Sequence, residues 1–158
     1  MARGDQRIAQ ITLDEHTVVR RNADIEHERK VAISDLLAEN SFAPVSAIKG
    51  PFHLHLSVAE NRLLLDIRDT KDKPLEQAVL PLLPFRKLVK DYFMICGSYY
   101  SAVREASLAK IEAIDMGRRA LHNEGSEKLC ERLAERVVVD DNTARRLFTL
   151  LCVLHIRG

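Results

Sequence analysis

The sequence predicts an α+β fold: a small antiparallel sheet, built from an N-terminal strand plus a central hairpin, packed against a mostly helical C-terminal half. Two observations carry this prediction. Residues 52–58 and 63–68 alternate apolar and polar side chains with the period of two that a half-buried strand requires. From Phe85 onward the apolar residues recur at i, i+3, i+4 and i+7, which is the period of a helix. At 158 residues the chain has the length of one domain, expected to span 1–158, and can bury a core without disulfide or metal staples.

The elements follow in order. Residues 7–13 are rich in Ile and Thr and read as the first strand. Over residues 24–39 Ile25, Val31, Ile33, Leu36 and Leu37 gather mainly on one side of a helical wheel, with Asn40 as C-terminal cap. Residues 41–50, carrying Pro44 and Gly50, are expected to be a connecting loop into the hairpin. A turn at Glu60-Asn61 sets Val58 against Leu63, Leu56 against Leu65 and Leu54 against Ile67, because a slip by one residue would move every apolar side chain to the wrong face. The opposite face then gathers His53, His55 and Ser57 near Arg68, Asp66 and Leu64. Residues 69–74 are a polar turn, and residues 75–80 add a third, edge-like strand ended by Pro81.

Pro84 suits the first turn of a helix, and Phe85, Leu88, Val89, Tyr92, Phe93, Cys96, Tyr99, Tyr100 and Val103 continue it. Gly97 inside this helix is expected to mark a close crossing or a bend. Ser107 is the expected N-cap of a helix through Asn123, Gly125 its stop, and Ser126 the cap of a further helix to about Arg136. A last helix begins near Asp141.

Composition narrows the classes of function. Apolar residues at 46%, charged residues at 30% and a formal net charge of +1 are ordinary for a globular chain and give no electrostatic case for nucleic acid or membrane. Before Pro84 there are 11 basic and 13 acidic residues, and from it onward 13 and 10, a balance of −2 against +3 that names no partner. Cys96, Cys130 and Cys152 are odd in number and widely spaced, the usage of free thiols in a reducing compartment. No signal-peptide pattern opens the chain, and the apolar run 147–156 is too short to span a bilayer, so a cytoplasmic location is expected. There is no glycine-rich phosphate loop and no metal-ligand spacing of the His-Glu-x-x-His or Cys-x-x-Cys kind, so neither metal nor cofactor is expected.

Two groups remain as candidate binding residues. On the helix 107–123, one face carries Ala113, Ile114, Met116, Gly117, Ala120 and Leu121 and reads as the packing face. The other carries Glu112, Asp115, Arg118, Arg119 and His122, followed by Glu124; Asp115, Arg118, Arg119, His122 and Glu124 are its binding candidates. Adjacent guanidiniums offer bidentate hydrogen bonds to a carboxylate or phosphate. The second group is His53, His55, Asp66 and Arg68, where a carboxylate beside an imidazole could support acid-base work, although no nucleophile is placed with it. Residues 133–151 imitate the spacing of a helix-turn-helix, but Leu147, Phe148, Leu150, Leu151, Val153, Leu154 and Ile156 surround the last helix with apolar side chains, so it is expected to be structural. Tyr92, Phe93, Tyr99 and Tyr100 read as core by their helical spacing.

The strings at residues 91–100, 111–125 and 142–151, with 39–42 and the Gly50-Pro51 entry to the hairpin, resemble an uncharacterised protein family (UPF) of alphaproteobacteria over nearly the whole chain. The resemblance implies a cytoplasmic bacterial protein and supplies no catalytic residues. From the residues themselves the leading expectation is a protein-interaction or regulatory module. A small-molecule-binding protein or enzyme using a polar His/Asp/Arg surface comes second, and a helix-turn-helix-like nucleic-acid binder third. The partner classes these surfaces allow are another protein or a small anionic ligand; nucleic acid ranks below both, and no membrane is expected.

Overall fold

The computed structural model describes residues 5–14, 23–105 and 108–154. Along the chain run β1 (Ile8–Leu13), α1 (Ala23–Ala38), β2 (Phe42–Pro44), β3 (Phe52–Ala59), β4 (Arg62–Arg68), β5 (Pro74–Pro81), a 3-10 turn at Leu83–Phe85, α2 (Arg86–Arg104), α3 (Leu108–Leu133), β6 (Val137–Val139) and α4 (Asp141–Leu154). The α+β class is as the periodicities predict.

The hairpin adopts the expected register, with Leu56 opposite Leu65, His55 opposite Asp66 and Val58 opposite Leu63. Glu60 and Asn61 have φ of 53° and 58°, the two positive values that a type I′ turn requires. One face of the hairpin is buried: Phe52, Leu54, Leu56, Leu63, Leu65 and Ile67 join a single core with Leu36 of α1, Tyr92 of α2 and Phe148 and Leu150 of α4.

The sheet is mixed rather than antiparallel, in the order β1-β3-β4-β5, because β1 pairs in parallel with β3. An intervening helix explains this: α1 lies between the two strands and carries the chain back to the end of the sheet from which β1 started. Alternation within a strand says nothing about the direction of its neighbour. A second departure is the pairing of β2 with β6, Phe42 opposite Val139 and Pro44 opposite Val137, where a connecting loop and the link between two helices were expected. Each segment is three residues long and acquires a ladder only through a partner more than ninety positions away, so neither carries a local signal.

The helices also depart from expectation in one place. Gly125 does not end a helix, since α3 runs unbroken from Leu108 to Leu133, and Ser126 donates to the Asn123 carbonyl at 3.0 Å instead of capping a new one. The glycine is there for clearance: a Cβ built on it would stand 2.7 Å from the Phe148 ring of α4. Gly97 faces open space, with nothing within 4 Å of a built Cβ, so it marks no close crossing. The proposed cap Ser107 lies outside the described residues, as do His155 and Ile156 beyond α4.

Polar side chains lock the layers together. Asn40 donates to the carbonyls of Leu36 (2.8 Å) and Ile8 (2.9 Å) and accepts from the Ile8 amide at 2.7 Å, closing α1 and gripping β1 with one side chain. Asp140 accepts from the Thr143 amide at 2.8 Å and caps α4. The buried Thr143 hydroxyl accepts from the Ser41 amide at 2.9 Å. From Leu147 to Leu154 every residue of α4 is buried, so this part of the helix is core, while Asp141 and Asn142 at its start are exposed and Arg145 and Arg146 half-buried. Cys96, Cys130 and Cys152 are free thiols, and among the described residues no helix is long and apolar enough to cross a membrane.

Gly125→Ala tests the α3–α4 crossing, because the two effects of the change oppose each other. Helix propensity favours alanine by about 1 kcal/mol, whereas overpacking a filled core costs about 1–3 kcal/mol. With the Phe148 ring at 2.7 Å, the clash is expected to win and denaturant unfolding to show net destabilisation.

Candidate functional site

Glu28 is the organising residue. It sits on the same stripe of α1 as Ile25, Ala32 and Leu36, at spacings of three, four and eight, so the turn of the helix that buries those apolar side chains also buries a carboxylate, 6% exposed. On α2, Tyr92, Cys96 and Tyr100 recur every four residues and present their polar atoms to it. Tyr100 donates to Glu28 Oε2 at 2.6 Å, Tyr92 to Oε1 at 2.9 Å, and the Cys96 thiol lies 3.8 Å from Oε1. From α3, Arg118 Nη2 reaches both carboxylate oxygens at 2.9 Å while its guanidinium rests 4.6 Å from the centre of the Tyr99 ring.

The acid-base character of the cluster follows from this geometry. Burial by itself would raise the Glu28 carboxyl, but the Tyr100 hydrogen bond, the Arg118 charge and the Tyr92 hydrogen bond together hold it below its ordinary value. Burial, reinforced by the adjacent carboxylate, pushes the Cys96 thiol up to about 11 and raises both tyrosines. At neutral pH the carboxylate is therefore ionised with its oxygens already engaged, while the thiol and phenols keep their protons. Such a set holds a charge in place and offers no nucleophile.

Beside this cluster α1, α3 and α4 leave a cavity of about 220 Å³. Arg118, Arg119, Arg145 and Arg146 line it together with Glu28, Asp35 and Asp115, so four positive charges face three negative ones, a surplus of one. Arg119 pairs with Asp115 at 2.9 Å and Arg146 with Asp35 at 3.6 Å. Arg145 donates instead to the neutral side-chain carbonyl of Asn123. His122 also lines the cavity, edge-on to the rings of Tyr92 and Phe148. Burial, then the nearby Arg118 and Arg145, depress its pKa to about 4, so the imidazole is neutral at physiological pH. Arg118 Nε is buried and has no hydrogen-bond partner.

A second polar group stands on the outer face of the sheet. His53 and His55 project from β3 with ring centres 4.1 Å apart. Their carboxylate is Asp72, in the β4–β5 turn, with Oδ1 at 3.3 Å from His53 Nδ1 and 3.0 Å from His55 Nε2. Asp66, although opposite His55 in the ladder, is taken by Arg68, whose Nε and Nη2 donate to its Oδ2 at 2.9 and 2.7 Å. Arg68 Nη1 also reaches Asp72 Oδ2 at 3.0 Å.

The predicted residues therefore divide. Asp115, Arg118, Arg119 and His122 do line one cavity. The expected packing face of α3 holds at Leu121, which is buried, and at Gly117, where a built Cβ would stand 2.9 Å from Ile95. It does not hold at Ala113, Met116 and Ala120, which are exposed, Met116 to 72%; in their stead Arg118 and His122 of the charged face point inward. Arg118 is thus an internal brace, and Arg119, 73% exposed, stands at the rim. Glu124 lies away from His122, in a groove between α2 and α3 with Asp91, Met94 and Leu121. His53, His55, Asp66 and Arg68 cluster as expected, and none of them lines the cavity. The residues that sequence reasoning missed are Glu28, Tyr92 and Tyr100 as hydrogen-bonding partners, the Arg145–Arg146 pair as cavity lining, and Asp72. For Glu28 a signal existed, a charged residue in register with Ile25, Ala32 and Leu36. For Asp72 none did, because its place depends on how the turn folds back.

Fold and site together define an α+β protein with a buried, helix-borne carboxylate–guanidinium pair beside an arginine-lined cavity. The chain belongs to the uncharacterised protein family UPF0262, whose model matches residues 5–157. It is 65% identical over 148 residues to a UPF0262 protein of Rhodospirillum rubrum, covering 94% of this chain and 91% of the relative. It is 56% identical over 153 residues to one from Paramagnetospirillum magneticum, covering 97% and 98%. With one from Rhizobium leguminosarum it shares 52% identity over 158 residues, the full length of both. The names of these relatives state no activity, and no solved structure matches the chain.

Removing one partner of a buried ion pair strands the other. Arg118→Ala is expected to cost about 3–5 kcal/mol in denaturant unfolding, since it leaves the Glu28 carboxylate buried without its cation. His122 makes stability depend on pH. The unfolded imidazole takes up a proton near 6.5 and the folded one only near 4, so between these values the unfolded state binds more protons. Stability is therefore full above pH ~6.5 and falls as the pH drops towards ~4, by about 2–3 kcal/mol. His122→Gln should flatten this window when unfolding is measured across pH.

Proposed function

We propose that the protein binds a small organic anion, a carboxylate or phosphate ester, in the cavity between α1, α3 and α4. The observation that carries this reading is the convergence of four guanidiniums on about 220 Å³ with one positive charge in surplus. Planar guanidiniums engage carboxylate and phosphate oxygens in pairs, and Arg119 of α3 with Arg145 and Arg146 of α4 can approach one anion from two sides while Arg118 stays on Glu28. The Arg146–Asp35 contact, at 3.6 Å between side chains 32% and 47% exposed, is of the weak kind that a ligand can replace. Arg145, bonded to a neutral amide oxygen, contributes the uncompensated charge. The volume falls below the ~300–1,000 Å³ usual for larger ligands, which favours a small one. Because the thiol and phenols beside Glu28 keep their protons, the geometry supports binding over covalent catalysis.

A protein-interaction role has a different support, the open groove of about 520 Å³ between α2 and α3 with Met94 63% exposed at its edge. The charged face of α3 contributes little to that reading, because two of its residues are turned inward.

The test is a thermal-shift and calorimetric comparison with inorganic phosphate, pyrophosphate, simple di- and tricarboxylates and sugar phosphates. At least one is expected to raise the melting temperature, with affinity falling at least tenfold in Arg145→Ala. Arg119→Ala should leave stability within about 1 kcal/mol of the parent, as exposed ion pairs do, while weakening the same ligand. No shift with any of these anions, or binding unchanged in Arg145→Ala, would overturn the assignment.

A further inference from the structure

We propose that His53, His55 and Asp72 form a binding site for a divalent transition-metal ion of the Zn²⁺, Ni²⁺ or Cu²⁺ type. The site shares no residue with the arginine-lined cavity and does not depend on it. Its three donor atoms lie within 4.8 Å of one another. Asp72 Oδ1 is 3.3 Å from His53 Nδ1 and 3.0 Å from His55 Nε2. Ligand atoms held at about 2.0–2.1 Å in a tetrahedral arrangement stand roughly 3.3 Å apart, so an ion fits among these groups after small side-chain rotations.

A simple ion pair explains the arrangement less well. One carboxylate oxygen faces two imidazoles whose ring centres are 4.1 Å apart, so three potential ligand atoms converge on one point. A divalent ion would engage both rings and the carboxylate together.

The surroundings are those of a held ligand set. Metal-bound imidazoles direct their outer nitrogen to an oxygen partner, and His53 Nε2 lies 2.7 Å from the Thr12 hydroxyl of β1. Arg68 bonds Oδ2 of Asp72 at 3.0 Å, which orients the carboxylate and leaves Oδ1 towards the histidines, while Asp66 offsets the Arg68 charge. With two carboxylates and one guanidinium the local charge is −1, favourable to a cation. Both histidines stand on a central strand. Asp72 is fixed in a turn closed by Asp72 N to Asp69 O at 2.9 Å and Asp69 N to Lys73 O at 3.0 Å. Two imidazoles with one carboxylate select borderline transition ions over Mg²⁺ and Ca²⁺, which prefer oxygen alone. Three protein donors also leave a coordination position for water or an external ligand.

The experiment is calorimetric titration of chelator-treated full-length protein with Zn²⁺ and Ni²⁺, with Mg²⁺ and Ca²⁺ as controls and the visible spectrum of Co²⁺ as a report of coordination. The expected result is one Zn²⁺ per chain at micromolar affinity or tighter, weakened at least tenfold in His55→Gln and in Asp72→Asn. Thr12→Val, which removes the outer partner of His53, should weaken it about tenfold, and Cys130→Ser should leave it unchanged. Asp72 is half exposed on a turn, so Asp72→Asn keeps the fold and decides the matter if His55→Gln does not. Absence of micromolar binding, equal binding of Ca²⁺, or affinity unaltered in Asp72→Asn would overturn the proposal.

Discussion

The carboxylate of Glu28 sets the terms for the helical half of the molecule. An ionised carboxylate removed from water is tolerated only where donors and an opposite charge replace its hydration, and here they come from Tyr92 and Tyr100 on α2 and Arg118 on α3. Three helices must therefore meet at one point, in one rotation about each axis. Apolar packing alone would accept several neighbouring arrangements, because hydrophobic attraction has no direction. The ion pair narrows these to the one in which α3 turns Arg118 and His122 inward.

That rotation produces the cavity. Once Arg118 is committed to Glu28, its neighbours Asp115 and Arg119 are brought to the edge of the space between α1, α3 and α4, opposite Arg145 and Arg146. The wall is layered by accessibility. Arg118 and His122 are half-buried at the base, whereas Arg119 and the Arg146–Asp35 pair stand more exposed at the rim. The same rotation exposes Met116 and opens the shallower α2–α3 groove, so the polar cavity and the apolar groove are two sides of one constraint.

The sheet solves a different problem. Its inner face joins the core through Phe52, Leu54, Leu56, Leu63, Leu65 and Ile67, while among the described residues no second layer covers its outer face, and the histidines of β3 are paired laterally by Asp72 and Thr12. Local hydrogen bonding thus organises this face without burial, at a place that has no residue in common with the cavity.

The hairpin was legible in the sequence down to individual pairs, since a period of two with one buried face permits a single register. The buried character of α4 was legible for a similar reason, because apolar residues surround it. Other features depended on contacts between positions distant in the chain: the parallel pairing of β1, the β2–β6 ladder, the clearance that Gly125 gives Phe148, and the meeting of Asp72 with His53 and His55. The division of α3 into faces shows the limit best. A wheel separates charged from small residues, yet that Arg118 of the charged side also turns inward depends on a carboxylate ninety residues earlier in the chain. The sequence by itself determined the local periods and the single hairpin register, because those follow from the geometry of one backbone segment and its nearest neighbour. Only the tertiary structure decided which polar groups became a site, because the cost of a buried charge is set by partners that other elements supply.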